Sequence, residues 1–192
     1  MDLYLASQSP RRRELLEQIG VRFSVVTINV KEHHAPGESP RSYVQRLSLQ
    51  KATAGAQQHS DKPVLGADTI VVLGGQVMEK PRTQEQAVDM LMRLSDCTHQ
   101  VMTSVSVCTP TRAESRLNIS QVTFRPIASS EAIAYSQTGE PQDKAGAYGI
   151  QGLGALFVKE IRGSYSSVVG LPLLETSALL KIFEVPTGIE IS

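Results

Sequence analysis

Apolar residues along the chain recur at two spacings, and the switches between them outline the elements. Leu3 to Ala6 is a short apolar run that stops at Ser7-Gln8-Ser9-Pro10. Ser9 suits a helix cap and Pro10 its first turn. Leu15, Leu16 and Ile19 then share one helical face, and Gly20 marks the end. Phe23 to Val30 reads as a strand, and Lys31 to Glu38 as a polar loop. Ser39-Pro40 repeats the helix start. Tyr43, Val44 and Leu47, then Lys51, Ala52 and Ala54, extend it as a long amphipathic helix whose last turn Gly55 weakens. Pro63 to Val72 is an apolar strand broken by Asp68. Gly74-Gly75 turns the chain and Gln76-Val77-Met78 returns it as a hairpin.

Thr83-Gln84-Glu85-Gln86 has the form of a capping box, with Ala87, Met90, Leu91 and Leu94 following at helical spacing. His99 to Thr109 and Arg116 to Ile127 read as two antiparallel strands. Ser129 or Ser130 starts a helix to about Thr138. Gly139 to Gly154 reads as a loop passage and Ala155 to Ile161 as a strand. Pro172 opens a last helix with Leu173, Leu174, Leu180 and Phe183 on its buried side; after Phe183 no pattern is clear. Strands and helices alternate, yet hairpins intervene. That combination predicts a mixed sheet flanked by helices rather than a purely parallel one.

Composition narrows the picture. At 192 residues, 41% hydrophobic and 20% charged, the chain suits one globular domain with a sizeable core. Nineteen basic residues balance nineteen acidic ones, so nothing suggests a general electrostatic grip on nucleic acid. Any anion must be held by a local cluster. Cys97 and Cys108 form no metal or redox motif, and a reducing compartment fits. The segment Met1 to Ala6 does not read as a signal peptide, and no apolar run approaches the roughly 20 residues that span a bilayer. The expectation is a cytoplasmic α/β protein.

Four places could carry chemistry. Ser7-Gln8-Ser9-Pro10-Arg11-Arg12-Arg13 lies where a strand meets a helix start, so amides, hydroxyls and guanidinium groups could cradle phosphate. The alternative is an ordinary capped helix with a solvated basic face, which the pattern alone favours. Asp68 interrupts an otherwise buried strand; a lone buried carboxylate is costly and needs a partner, a metal or solvent. The alternative is a strand-end Asp bonded to local backbone. Glu79-Lys80-Pro81 follows the hairpin and could approach Asp68, or be a charged turn. Asp143 to Gly152 is glycine-rich, and Gln151 could read a base edge with its amide; a flexible surface loop is the competing reading. His33, His34, His59 and His99 form no metal-binding spacing, and no nucleophile motif is present.

Taken together, the stretches LASQSPRRRELL, YVQRLSLQKA, VLGADTIVV, MEKPRT, DKAGAYGIQG and VVGLPLLET resemble the Maf family of nucleotide pyrophosphatases, in that family's order across residues 3 to 176. The resemblance implies an elongated mixed sheet with helices and two lobes around a cleft, with the whole chain one Maf-like domain and its last nine or so residues a tail. It implies hydrolysis of a nucleoside triphosphate to monophosphate and pyrophosphate with a divalent metal cation, Mg²⁺ or Mn²⁺, by a homodimer. Carried across, Asp68 matches the catalytic proton acceptor, and Ser7, Arg12, Lys51 and Lys80 match phosphate-binding positions. Glu32 matches an acidic position near the metal, which Asp68 and Glu79 would join. Arg11, Thr69 and Gln151 resemble the specificity positions of a branch acting on dTTP and UTP. A branch linked to 7-methyl-GTP has Trp, Gln and Glu there, and this chain has no Trp. One departure is Asn29-Val30-Lys31-Glu32, where relatives often carry a further acid before the position of Glu32.

Two rival functions follow. A non-catalytic nucleotide-binding regulator of septum formation would use the same cradle, but gains nothing from Asp68 and Glu32 beside phosphate unless a metal intervenes. An RNA-binding module would want basic surface and exposed aromatics, and this chain has five Tyr, four Phe and no net charge.

Overall fold

The computed structural model describes residues 2–189. Among them, seven strands form one mixed sheet in the order β2-β1-β3-β5-β6-β7, with β4 also paired to β3. β1 (Leu3–Leu5) runs parallel to β2 (Phe23–Val25) and to the start of β3 (Val64–Leu73). β3 is long enough to take a second partner near its end, where β4 (Gln76–Met78) returns antiparallel through Gly74 and Gly75, both at positive φ. Hydroxyl contacts give the sense of β5 (Thr98–Cys108) and β6 (Ala113–Phe124). Thr98 Oγ1 meets Thr123 Oγ1 at 2.8 Å and Ser106 Oγ meets Ser115 Oγ at 2.7 Å, so the two strands run in opposite directions. β7 (Val158–Arg162) pairs antiparallel with β6.

The chain divides into two compact units. The first takes the described residues up to Asp68, Thr103–Asn118 and those from Gly170 onward. The second is Thr69–Met102 with Ile119–Val169.

In the first unit α1 (Pro10–Gln18) starts as its Ser-Pro signal predicts, but the Ser9 side chain does not cap it; the Ser9 N–H instead donates to Ser7 Oγ at 3.2 Å. α2 (Pro40–Gln58) is capped by Ser39, whose Oγ accepts from the Ser42 N–H at 3.1 Å. It passes straight through Gly55. That glycine is a packing device, since a Cβ there would lie 2.6 Å from Val64 Cγ1 on β3. Ala6, Val26, Ala52, Ala56, Val64 and Cys108 close a small core around this contact. β2 is shorter than the apolar run predicts and ends at Val25, because its partner β1 ends at Leu5. α6 (Leu173–Ile182) buries Thr176, Leu179 and Leu180; Leu174, expected on the buried side, is 80% exposed. The segment after Phe183 is not without contacts: Val185 is buried and the Gly188 N–H donates to the Ile19 carbonyl at 2.7 Å.

The second unit has the larger apolar cluster, with Phe124 at its centre. Phe124 is fully buried against Tyr148, His99 and Phe157 at ring distances of 4.7, 5.0 and 6.1 Å. Truncating such a ring costs about 3–5 kcal/mol. α3 (Gln84–Leu94) sets Ala87, Leu91 and Leu94 against this cluster. Its Thr83 cap accepts from the Gln86 N–H at 3.2 Å, while Gln86 Oε1 reaches back to the Arg82 N–H at 2.8 Å. α4 (Ser129–Gln137) follows, and α5 (Tyr165–Val169) is a short helix with no signal in the hydrophobic pattern. The stretch 139–154 is more ordered than a surface loop. It holds 3-10 turns at Glu140–Asp143, Ala145–Ala147 and Leu153–Phe157, the last of which replaces the predicted start of β7. None of the helices among the described residues is long and apolar enough to cross a membrane.

Candidate active site

The centre of the first unit is a carboxylate pair around one ammonium. Asp68 stands in β3, which it does not break; Lys51 projects from α2. Lys51 Nζ lies 2.7 Å from Asp68 Oδ1 and 2.6 Å from Glu32 Oε1. Asp68 and Lys51 are 6% and 7% exposed, whereas the Glu32 side chain is 42% exposed. The meeting depends on Gly66, two residues before Asp68. A Cβ at Gly66 would stand 2.5 Å from the Ala52 nitrogen and 2.6 Å from the Ser48 carbonyl oxygen, so only glycine lets α2 lie this close to β3. A polar seam fixes the same helix from another side. Buried Ser48 Oγ lies 2.7 Å from Ser104 Oγ and 2.9 Å from Ser106 Oγ.

Burial pushes the Asp68 carboxyl above its ordinary pKa of 3.8, against the pull of Lys51 and Arg12; Glu32 adds to the rise. Desolvation, with the Glu32 charge beside it, therefore outweighs the pull of the two positive charges. The same desolvation lowers the Arg12 guanidinium, which the charges of Asp68 and Glu32 partly restore. Arg12 is held in place from two directions. Its Nε donates to the Gly170 carbonyl at 2.8 Å and its Nη1 to Ser7 Oγ at 3.2 Å. Arg11, the next residue back on α1, is half-buried.

Glu32 sits in a segment without regular structure, yet that segment is fastened. Glu38 accepts two short bonds from Arg46 of α2, at 2.7 Å each, and a third from the Ala35 N–H at 3.2 Å. Arg46 Nη2 also donates to the His33 carbonyl at 2.9 Å, and His34 packs on Tyr43 at 4.7 Å. Arg46 holds Glu38 well below the usual carboxylate range, at about 2. The acidic loop and the lysine-bearing helix are thereby one assembly.

The remaining expected residues stand in the second unit. Thr69 is half-buried on β3, and Glu79 and Lys80 are exposed after β4. The Glu79 carbonyl accepts from the Gly146 N–H at 3.2 Å, which ties that segment to the glycine-rich stretch. Gln151 is exposed at the tip of that stretch. Sequence reasoning missed Gly170, Arg46, Glu38 and Glu140. Gly170 and Arg46 had a signal, since they lie inside the VVGLPLLET and YVQRLSLQKA runs; the pairing of Arg46 with Glu38 spans eight residues across a helix start and leaves no mark in the pattern.

Whether these residues suit a divalent cation can be judged from the donors. Glu32 and Asp68 already share a cation, the Lys51 ammonium, and both offer hard oxygen atoms. Among the described residues, no group of three or more His, Cys, Asp or Glu could hold an ion. That set fits an ion of the Mg²⁺ kind, which takes one or two carboxylates and completes its shell with water and phosphate oxygens. It does not fit a metal caged by protein alone.

Fold and site define a mixed α/β protein whose centre couples a buried carboxylate to an ammonium and a guanidinium. The family model described as Maf-like protein matches residues 2–183, and the chain belongs to the Maf family. It is 59% identical over 189 residues to a dTTP/UTP pyrophosphatase of Saccharophagus degradans, covering 96% of this chain and 90% of that protein. It is 54% identical over 182 residues to dTTP/UTP pyrophosphatases of Escherichia coli O157:H7 and Pectobacterium atrosepticum, covering 94% of this chain and 92% of each.

Proposed function

We propose that the protein hydrolyses dTTP and UTP, and related or modified pyrimidine nucleotides, to the nucleoside monophosphate and pyrophosphate. The observation that carries the reading is the buried Asp68 with its raised pKa, held 2.7 Å from Lys51, in a chain 59% identical to a protein named for this activity.

Asp68 is the proton acceptor for the attacking water. A raised pKa makes it a stronger base than an ordinary carboxylate. Ser7 and Arg12 bind phosphate oxygens. Their bond to each other and the bond from Arg12 to Gly170 set the guanidinium before the ligand arrives, so little ordering cost remains. Lys51 and Lys80 neutralise the triphosphate and the charge that develops on the departing pyrophosphate. A divalent cation, Mg²⁺ or Mn²⁺, is part of the reading. Glu32 and Asp68 would hold it, joined by Glu79, and it would polarise water and phosphate oxygens. Gln151 and Thr69 read the pyrimidine edge and Arg11 shapes the pocket; polar readers reject a wrong base by leaving buried groups unpaired. The reading takes residues 1–192 as one Maf-like domain that works as a cytoplasmic homodimer without nucleic acid. Sedimentation velocity measures the assembly directly.

The experiment is pyrophosphate release from dTTP, UTP, CTP, GTP and 7-methyl-GTP, each with Mg²⁺, with Mn²⁺ and with chelator. Metal-dependent release from dTTP and UTP is the expected result. Release chiefly from 7-methyl-GTP would overturn the roles of Arg11, Thr69 and Gln151 while keeping the reaction. No release by folded protein would overturn the activity.

A further inference from the structure

The glycine-rich stretch that carries Gln151 is built around a single carboxylate, Glu140. Its Oε2 accepts from the Leu153 N–H at 2.9 Å, and its Oε1 from the Gly154 N–H at 3.1 Å and the Tyr135 hydroxyl at 2.8 Å. The Tyr135 oxygen in turn accepts from the Gly149 N–H at 3.2 Å. Gln151 therefore lies on a short arch pinned at both feet, at Gly149 through Tyr135 and at Leu153–Gly154 through Glu140. The glycines serve this arch. A Cβ at Gly152 would fall 2.4 Å from both Glu140 oxygens, and one at Gly154 would fall 2.7 Å from the Tyr135 hydroxyl. Close backbone approach is needed here for a protein carboxylate, whereas the sequence pattern suggested a ligand.

The arch is stiff where it is pinned and exposed where it works. Tyr135 is 5% exposed and packs edge-on against Phe157 at 5.1 Å, so the hydroxyl cannot wander. Lys144 adds a strap, donating to the Glu140 carbonyl at 2.7 Å. Burial pushes the Glu140 carboxyl up, but the bonds from Tyr135, Gly154 and Leu153 and the Lys144 charge outweigh it, and the net shift is downward. Glu140 is thus ionised at neutral pH and a strong acceptor for the two amides. Among the described residues Gln151 has no such anchors of its own; its position follows from the arch.

We infer that Glu140, through Tyr135, is a positioning residue for base selection: it fixes the arch on which Gln151 is presented. The inference rests on the reading of Gln151 as the residue that reads the pyrimidine edge. Loss of Glu140 frees two backbone amides and lets the arch open, so Gln151 samples many positions. Binding of the correct base then weakens.

The test is steady-state kinetics with UTP and CTP on the full-length protein for Glu140→Ala, Gln151→Ala, the double variant and Tyr135→Phe. Glu140→Ala should raise the KM for UTP about tenfold, the loss expected for an ordinary hydrogen bond, with kcat little changed and the preference over CTP reduced. The double variant should be no worse than Gln151→Ala alone, because both act through one contact. Tyr135→Phe keeps the ring packing and should shift KM in the same direction by less, which serves if Glu140→Ala does not fold. Should Gln151→Ala lose the preference while both Glu140→Ala and Tyr135→Phe keep it, the inference is overturned and Glu140 is a purely structural residue. A Gln151→Ala variant that keeps the preference overturns the role of Gln151 itself, and the inference with it.

Discussion

Gly66 brings Lys51 to Asp68 by having no side chain: a Cβ there would lie 3.0 Å from Lys51 Cβ and closer still to the backbone of α2. The two nearest atoms, the Ala52 nitrogen and the Ser48 carbonyl oxygen, belong to the helix itself, so no rotamer change relieves the clash. Gly66→Ala must push α2 away from β3. Overpacking of this kind costs about 1–3 kcal/mol, or a Tm lower by about 2–12 °C for a chain of this size. Activity should fall further than the unfolded fraction accounts for, because the Lys51–Asp68 contact stretches. Thermal unfolding with turnover measured well below Tm checks both; an unchanged Tm would show that the helix yields without cost.

The Asp68 pKa makes a prediction about pH. A proton acceptor works only as the carboxylate, so kcat should fall as pH drops through the raised value, above 3.8. Lys51 is the largest positive influence on that carboxyl. Lys51→Met should therefore move the acid limb of the profile to higher pH, besides lowering its height. Asp68→Asn should reduce kcat at least about 100-fold. Its stability should not suffer in step. A carboxyl whose pKa is raised by folding costs stability as pH rises from its unfolded value through its folded one, and Asn removes that cost. Rate profiles of the three proteins from pH 4 upward, paired with Tm, decide the matter. An acid limb that stays put in Lys51→Met would mean another group sets it.

What the sequence could and could not show follows from the range of the interactions. Capping at Ser39 and Thr83 and the Gly74-Gly75 hairpin were legible because each rests on neighbours in the chain, and the mixed sheet because strands and helices alternate with hairpins between them. Asp68 was legible as an ionisable residue in an apolar strand, but its partner Lys51 had no signal of its own in the pattern and entered only through the resemblance. The length of β2 was not, since it depends on where β1 ends. Gly139 to Gly154 read as a loop because glycines look permissive in isolation; here Gly152 and Gly154 are required by Glu140 and Tyr135, which the sequence pattern does not connect to them. Leu174 was placed on the wrong face because the apolar residues of α6 do not gather into one stripe and polar Thr176 is buried, so periodicity does not choose a side.

Glu38 and Arg46 give a stability signature in strong acid. Folding lowers the Glu38 pKa from 4.5 to about 2, so its contribution is complete above pH 4.5 and is lost as pH falls toward about 2. Glu38→Gln should flatten the fall of Tm across that window and leave the rest of the curve alone. At neutral pH the same variant loosens the segment carrying Glu32, so the metal requirement should rise: more Mg²⁺ for half-maximal rate, with kcat at saturating metal largely kept. Magnesium titrations of the two proteins give the comparison. Identical half-saturation would mean that Glu32 is held without the Arg46 clamp.

His99 supplies the second acid-sensitive group, in a milder range. It is 1% exposed, its Nε2 lies 2.8 Å from the Tyr148 hydroxyl, and its Nδ1 has no hydrogen-bond partner among the described residues. Burial lowers its pKa from 6.5 to about 4. The unfolded chain binds a proton at this position between those values and the folded chain does not. Stability from His99 is thus complete above pH 6.5, and falls as pH drops to about 4. A shift of that size corresponds to about 3 kcal/mol. His99→Phe should lose some stability at neutral pH, where the Tyr148 hydroxyl is left without this partner, yet show a flatter Tm curve between pH 6.5 and 4. An imidazole NMR titration of the parent protein locates the same event without mutation. A His99 signal that titrates near 6.5 in the folded protein would contradict the buried, neutral ring and remove the predicted slope.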